Sequence, residues 1–332
     1  MEAALSQRDH ELVECGWEPL TTTEMTAALT ERGPFAWLLF LIFLLVTMPA
    51  TTLAEKLPGY ENYKEGYQGY LGDGILKEGQ DSTAELARAV QNPVADLISV
   101  PFQNNTNFNF GPRERTQNVL NIQPVIPVDL NEEWLLITRT ILPIVSQPSL
   151  FKGDDGRENG LGDMLFTAFL SPKDQARWLG GRWLWGVGPA ILMPTSTDDV
   201  LGPGEWGAGP SAVFLTMPGN WVIGSLFSNV WSFTDDGDED EVNVFTWQPF
   251  VNYNLDDGWY LSSSPLITAN WEADSDNTWT VPIGGGVGRI MRFGSQPVNL
   301  SLQGFYNVEE PDDIGPEWSI RFTFQFLFPR GG

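Results

Sequence analysis

Cysteine and histidine are nearly missing: Cys15 and His10 are the only ones in 332 residues. Both precede an apolar segment that starts near Pro34. Beyond it the chain can form no disulfide, no Cys/His metal site, no thiol nucleophile and no imidazole base. No cofactor is expected. Charge is scarce too, at 18% of residues, and mostly of one sign, with 43 Asp+Glu against 18 Lys+Arg and a net charge of −25. A chain so acidic repels phosphate, so nucleic acid is excluded as a partner. What is plentiful is Gly (34), Pro (24), Trp (14) and Phe (20), the composition of turn-rich, aromatic β-structure.

The final stretch shows how the aromatics are used. Trp318, Ile320, Phe322, Phe324, Phe326 and Phe328 alternate with Ser319, Arg321, Thr323, Gln325 and Leu327. A period of two marks a strand with unlike faces. Eleven residues suffice to cross a bilayer as a tilted strand. One face is too aromatic for water and the other too polar for a packed core, which suits lipid outside and a polar lumen inside.

The chain is expected to divide into an N-terminal extension and signal segment (1–54), a linker with a short helix (55–96) and a barrel (97–332). The apolar core Phe35–Val46, the breaker Pro49 and the small residues before Glu55 read as a secretory signal. The competing reading is an uncleaved membrane helix. Met25 is an alternative start. Ser82-Thr-Ala-Glu85 has the pattern of a capping box opening a helix that Pro93 stops. That helix either tidies the chain before the first strand, the favoured reading, or serves as a plug or periplasmic lid on the barrel.

From Leu97 onward the spacing predicts twelve strands, at about 97–110, 117–128, 134–147, 161–171, 178–193, 205–217, 220–233, 242–255, 259–272, 278–292, 297–308 and 317–328. The fold class is therefore all-β, an antiparallel transmembrane barrel of about 12 strands. Short connections (129–133, near Lys173, 218–219, 256–258, 294–296) alternate with long ones, so all short turns are expected at one end. Trp259 and Trp271, twelve residues apart, would lie in two aromatic girdles. Gln123-Pro124…Trp134 repeats as Gln248-Pro249…Trp259. Prolines inside strands (Pro124, Pro189, Pro210, Pro249, Pro265, Pro282) count against a closed barrel, because each removes a ladder donor.

Several motifs carry a resemblance: Asn92-Pro-Val-Ala-Asp-Leu-Ile-Ser-Val-Pro-Phe-Gln103, Asn121-Ile-Gln-Pro-Val-Ile-Pro127, Trp206-Gly-Ala-Gly-Pro210, Gln248-Pro-Phe-Val-Asn-Tyr253 and Gln296-Pro-Val-Asn299. Over roughly residues 85–329 the chain resembles bacterial outer-membrane barrels filed under the meta-pathway of phenol degradation, many loosely called transporters. The resemblance implies a bacterial outer-membrane location and, by the family name alone, aromatic solutes. It brings no catalytic motif. The last strand also resembles the C-terminal sorting strand of such barrels, which implies recognition by the barrel-assembly machinery through Phe328.

Enzymes of this architecture use Ser with His or Asp with His, and neither pair can be built after residue 15. Gly284-Gly-Gly-Val-Gly288 lacks the spacing of a phosphate loop and fits strand glycines at a barrel bend. Arg139, Asp163, Arg182 and Arg321 fall on the lumen parity of their strands, where they would select solutes or close the pore by ion pairing. Asp235, Asp236, Asp238, Glu239, Asp240 and Glu241 form an acidic loop able to hold cations weakly or bridge to lipopolysaccharide, without the spacing of a defined metal site. The expected function is a passive channel for small solutes. The alternative is a non-conducting surface protein working through its acidic loops.

Overall fold

The structure is a computed structural model and describes residues 86–150, 156–174, 176–178, 181–233, 241–294 and 296–329. The leader, the capping box and Asp235–Asp240 lie outside the described residues.

Twelve strands run antiparallel in chain order: β1 (Leu97–Phe110), β2 (Arg115–Ile122 and Val125–Asp129), β3 (Trp134–Pro148), β4 (Arg157–Leu161 and Met164–Pro172), β5 (Gly181–Met193), β6 (Gly207–Thr216), β7 (Trp221–Ser232), β8 (Asn243–Asn254), β9 (Trp259–Ser263 and Ile267–Asn270), β10 (Trp279–Phe293), β11 (Gln296–Glu309) and β12 (Trp318–Pro329). They occupy the twelve expected spans. Strand β1 pairs with β12 from Leu97↔Pro329 to Phe108↔Trp318, so the sheet closes on itself and has no edge. Closure removes the unpaired ladder that would invite aggregation.

The alternation decides which side is which. In β12, Arg321, Thr323, Gln325 and Leu327 are buried inside, while Trp318, Ile320 and Phe322 are exposed outside. In β11, Asn299, Ser301, Gln303 and Asn307 are buried, and Leu302 and Tyr306 are 53% exposed. An outer wall so apolar has lipid as its solvent, and the barrel belongs in the bacterial outer membrane. Trp134 with Trp185 and Trp221 with Tyr253 gather at the short-turn end. Phe108 stacks on Trp318 at 4.0 Å, and Trp271 meets Trp279 edge-on, at the other end. Trp259 and Trp271 fall in opposite girdles, as the sequence predicts.

The prolines find their places at gaps in the ladder. Pro124 lies in the break of β2, next to Gln123, whose N–H donates to the carbonyl of Pro101 at 2.9 Å. Pro265 lies in the break of β9, and Pro249 faces that same break. Pro189 and Pro210 stand opposite each other across β5 and β6. The pairing of β5 with β4 skips Pro189, and that of β6 with β7 skips Pro210. Pro282 sits at a register shift between β10 and β11. A residue without an N–H is tolerated where the neighbour is not asking for one.

One expectation about loops needs correction. The turn over residues 111–114 is tight, with Gly111 at φ 66 and Glu114 at φ 50, yet it lies at the long-loop end. Glycine at positive φ makes such a reversal cheap, so loop length alone does not assign the ends.

Candidate functional site

The polar faces of the strands converge on a lumen, and the chain before β1 closes one end of it. Residues 86–90 form a helical turn, and Asn92 Oδ1 accepts from Val94 N at 3.0 Å. Val94 is 4% exposed and packs with Leu135, Ile137, Phe169, Val213 and Phe250. Ala87 is 2% exposed and packs with Leu97, Tyr260, Ile290 and Leu327. Gln91 Nε2 donates to Asn254 Oδ1 at 2.9 Å, and Arg88 donates to the carbonyl of Gly219 in the β6–β7 turn. The favoured sequence reading, a helix that merely tidies the chain, is thereby corrected. Apolar positions at Ala87, Leu86, Val90 and Val94 find their burial inside the barrel, where the inner wall near the short turns is itself apolar.

Above this plug lies a cavity of about 230 Å³. One wall is apolar, from Phe169, Leu226 and Phe250; another is made of amides and hydroxyls, among them Asn252, Ser262, Asn299, Gln303 and Gln325. Arg139 lines it and donates through Nη2 to Gln123 Oε1 at 2.7 Å. Arg321 is 8% exposed. It donates through Nε to Asn105 Oδ1 at 2.9 Å and through Nη1 to the Ser264 carbonyl at 2.7 Å, with its guanidinium over the Phe305 ring.

The other two lumen candidates are elsewhere. Asp163 sits between the segments of β4, where its carboxylate accepts from the backbone N–H groups of Thr195, Ser196 and Gly204. It pins the loop between β5 and β6. Arg182 keeps its parity but stands at the first turn of β5 and is exposed at the rim. No ion pair therefore spans the lumen among these four residues.

Glu241 is exposed. Glu272, Asp274, Asp276, Glu309, Asp312 and Asp313 are also exposed, at the long-loop end. Among the described residues no group of three or more His, Cys, Asp or Glu could hold a metal ion. Glu310 has one carboxylate oxygen, Oε2, covered and without a hydrogen-bond partner, although the side chain as a whole is only partly buried. Burial, then Glu317 and Asp312, raise its carboxyl above the ordinary range.

Gln123 and Gln248 also line the cavity, Gln248 on the polar parity that its strand's alternation gives it. Their signal was present in the repeated Gln-Pro. In each case the proline goes with a gap in the ladder, and the glutamine before it faces inward.

Residues 101–264, just under half of the chain, match the model of the family described as "Putative MetA-pathway of phenol degradation". The resemblance carried by the motifs is thus found again. No curated protein sequence matches. The chain is similar to a solved outer membrane channel from Pseudomonas putida F1, at 17% identity and a TM-score of 0.55, over 70% of this chain and 95% of that one. It is more distantly similar to outer membrane phospholipase A from Escherichia coli, at 14% identity and a TM-score of 0.38, over 71% and 93% of the two chains. At 11% identity and a TM-score of 0.37 it is similar to the CymD monoaromatic hydrocarbon channel, over 80% and 97%. At these identities the Pseudomonas structure speaks for the fold alone, and the other two carry no argument.

Proposed function

We propose, with the family match and the closed outer-membrane barrel as premise, that this chain is a passive channel for small solutes. The observation that carries the reading is the two-faced wall, greasy outside and lined with amides and hydroxyls inside, around a cavity of about 230 Å³. A barrel of about eight strands is filled by its own side chains and one of about sixteen is an open pore, so twelve suit a narrow lumen. The Pseudomonas protein that shares the fold is an outer membrane channel, which supports the same role. A catalytic role finds no support in the residues, since every histidine and cysteine precedes residue 16. Outer-membrane lipid is the expected surrounding. Lipopolysaccharide at the acidic loops and assembly machinery at Phe328 belong to the same proposal.

A second reading, a non-conducting barrel, is favoured by the plug at residues 86–96. Liposomes containing the purified barrel separate the two. Solute-driven swelling above that of protein-free vesicles is the expected result. Swelling and single-channel current both at background would leave the surface-protein reading standing.

A further inference from the structure

We propose that the cavity above the plug is a binding site for a small organic anion, its charged group beside Arg139 and its apolar body against Phe169, Leu226 and Phe250. The inference deepens the channel reading and rests on it only for the route by which the solute arrives.

Charge is the first argument. Arg139 lines the cavity and Arg321 is buried on the inner face of β12, so the interior of the barrel carries two positive charges. Every protein partner they have among the described residues is neutral: two side-chain amides, one backbone carbonyl and an aromatic face. Buried guanidinium groups are normally offset by carboxylates, and leaving one unpaired is costly. Asp163, the acid that sequence parity put in the lumen, is engaged by the Thr195–Gly204 loop instead. The low-dielectric wall leaves the field of the pair poorly screened, so it favours a mobile anion.

Geometry is the second. Among the described residues Arg139 uses only Nη2, at Gln123. A planar guanidinium suits a carboxylate because two N–H groups can meet two oxygens. Gln123 holds the head in place, as a neighbour that adds no charge. The apolar wall lies across the same cavity, so a ligand with only a charge or only a ring would satisfy half of it.

Size is the third. A volume of about 230 Å³ falls below the roughly 300–1,000 Å³ of drug-sized pockets. A single ring with one carboxylate fits this volume. The acidic outer face disfavours anions at the mouth, so discrimination has to come from the interior pair.

The test is calorimetric titration of the full barrel in detergent micelles with benzoate, benzamide, acetate and benzylammonium. Benzoate is expected to bind at least about tenfold more tightly than each of the other three, a difference of about 1.4 kcal/mol. R139Q should bring benzoate down to the level of benzamide and leave benzamide unchanged. Should R139Q fail to fold, the wild-type order of anion over neutral over cation is itself decisive. Equal binding of benzoate and benzamide, or unchanged benzoate binding in a folded R139Q barrel, overturns the proposal and leaves the arginines a structural role. Binding in micelles needs no conduction. Silent bilayers with intact benzoate discrimination sink the channel and spare the site, while conduction without discrimination does the reverse.

Discussion

Gly288 leaves the space that the Tyr260 ring fills. A Cβ at 288 would lie 2.1 Å from the ring, and Tyr260 is 4% exposed, with its hydroxyl donating to Asn299 Oδ1 at 2.8 Å. Gly288→Val is therefore expected to push the ring off its partner and cost about 1–3 kcal/mol. Urea titration of the barrel in lipid vesicles reads the loss, and a Y260F partner variant should share part of it. Asn299 would keep its second bond, to Gln325, at 3.1 Å. At the rim, Glu310 makes a prediction about pH. Its carboxyl is raised in the folded state, so the stabilisation is complete below the ordinary carboxylate pKa and is lost as pH rises through the raised value. E310Q should slow hydrogen exchange of the loop over residues 309–317 at neutral pH and leave it unchanged in acid. A slower rate in acid as well would mean that charge is not the cause.

The elements divide into wall and stopper. In the wall, neighbouring positions of one strand face different solvents. F322R places a cation in lipid and is expected to cost about 2–4 kcal/mol near the bilayer midplane. S301R places one in the lumen and should cost much less. Folding titrations of the two into vesicles check the assignment, and equal costs would contradict it. The stopper depends on apolar contact. V94D puts a carboxylate among Leu135, Ile137 and Phe169 and should release residues 86–96 from the lumen. Single-channel current should then rise severalfold over wild type with the barrel still folded. An unchanged current would mean that the segment does not limit passage.

At the scale of the molecule, charge is layered. The outer rim is acidic, through Glu272, Asp274, Glu309 and Asp312, and the interior carries Arg139 and Arg321. Under a salt gradient the reversal potential should be set by the narrowest level, so the wild type should favour anions. R139Q/R321Q should move it toward cations, with screening of the rim at high salt shifting it less. A reversal potential that ignores both substitutions would place the narrow level elsewhere.

The strand pattern was enough for most of the wall. Period-two alternation in Trp318–Phe328 and in Val298–Val308 depends only on neighbours in the chain. Lipid outside and water inside impose the same rule on every strand, so twelve spans and their facing could be read locally. The prolines looked like defects because a ladder gap is shared by two strands, and only the pairing shows that Pro249 faces the break holding Pro265. The site was half legible for the same reason. Parity put Arg139 and Arg321 inside, but it could not see that the loop between β5 and β6 engages Asp163, nor that Val94 and Ala87 return into the lumen. Facing is a local property of a strand, whereas charge balance and closure of the lumen depend on residues far apart in sequence, and those only the folded barrel brings together.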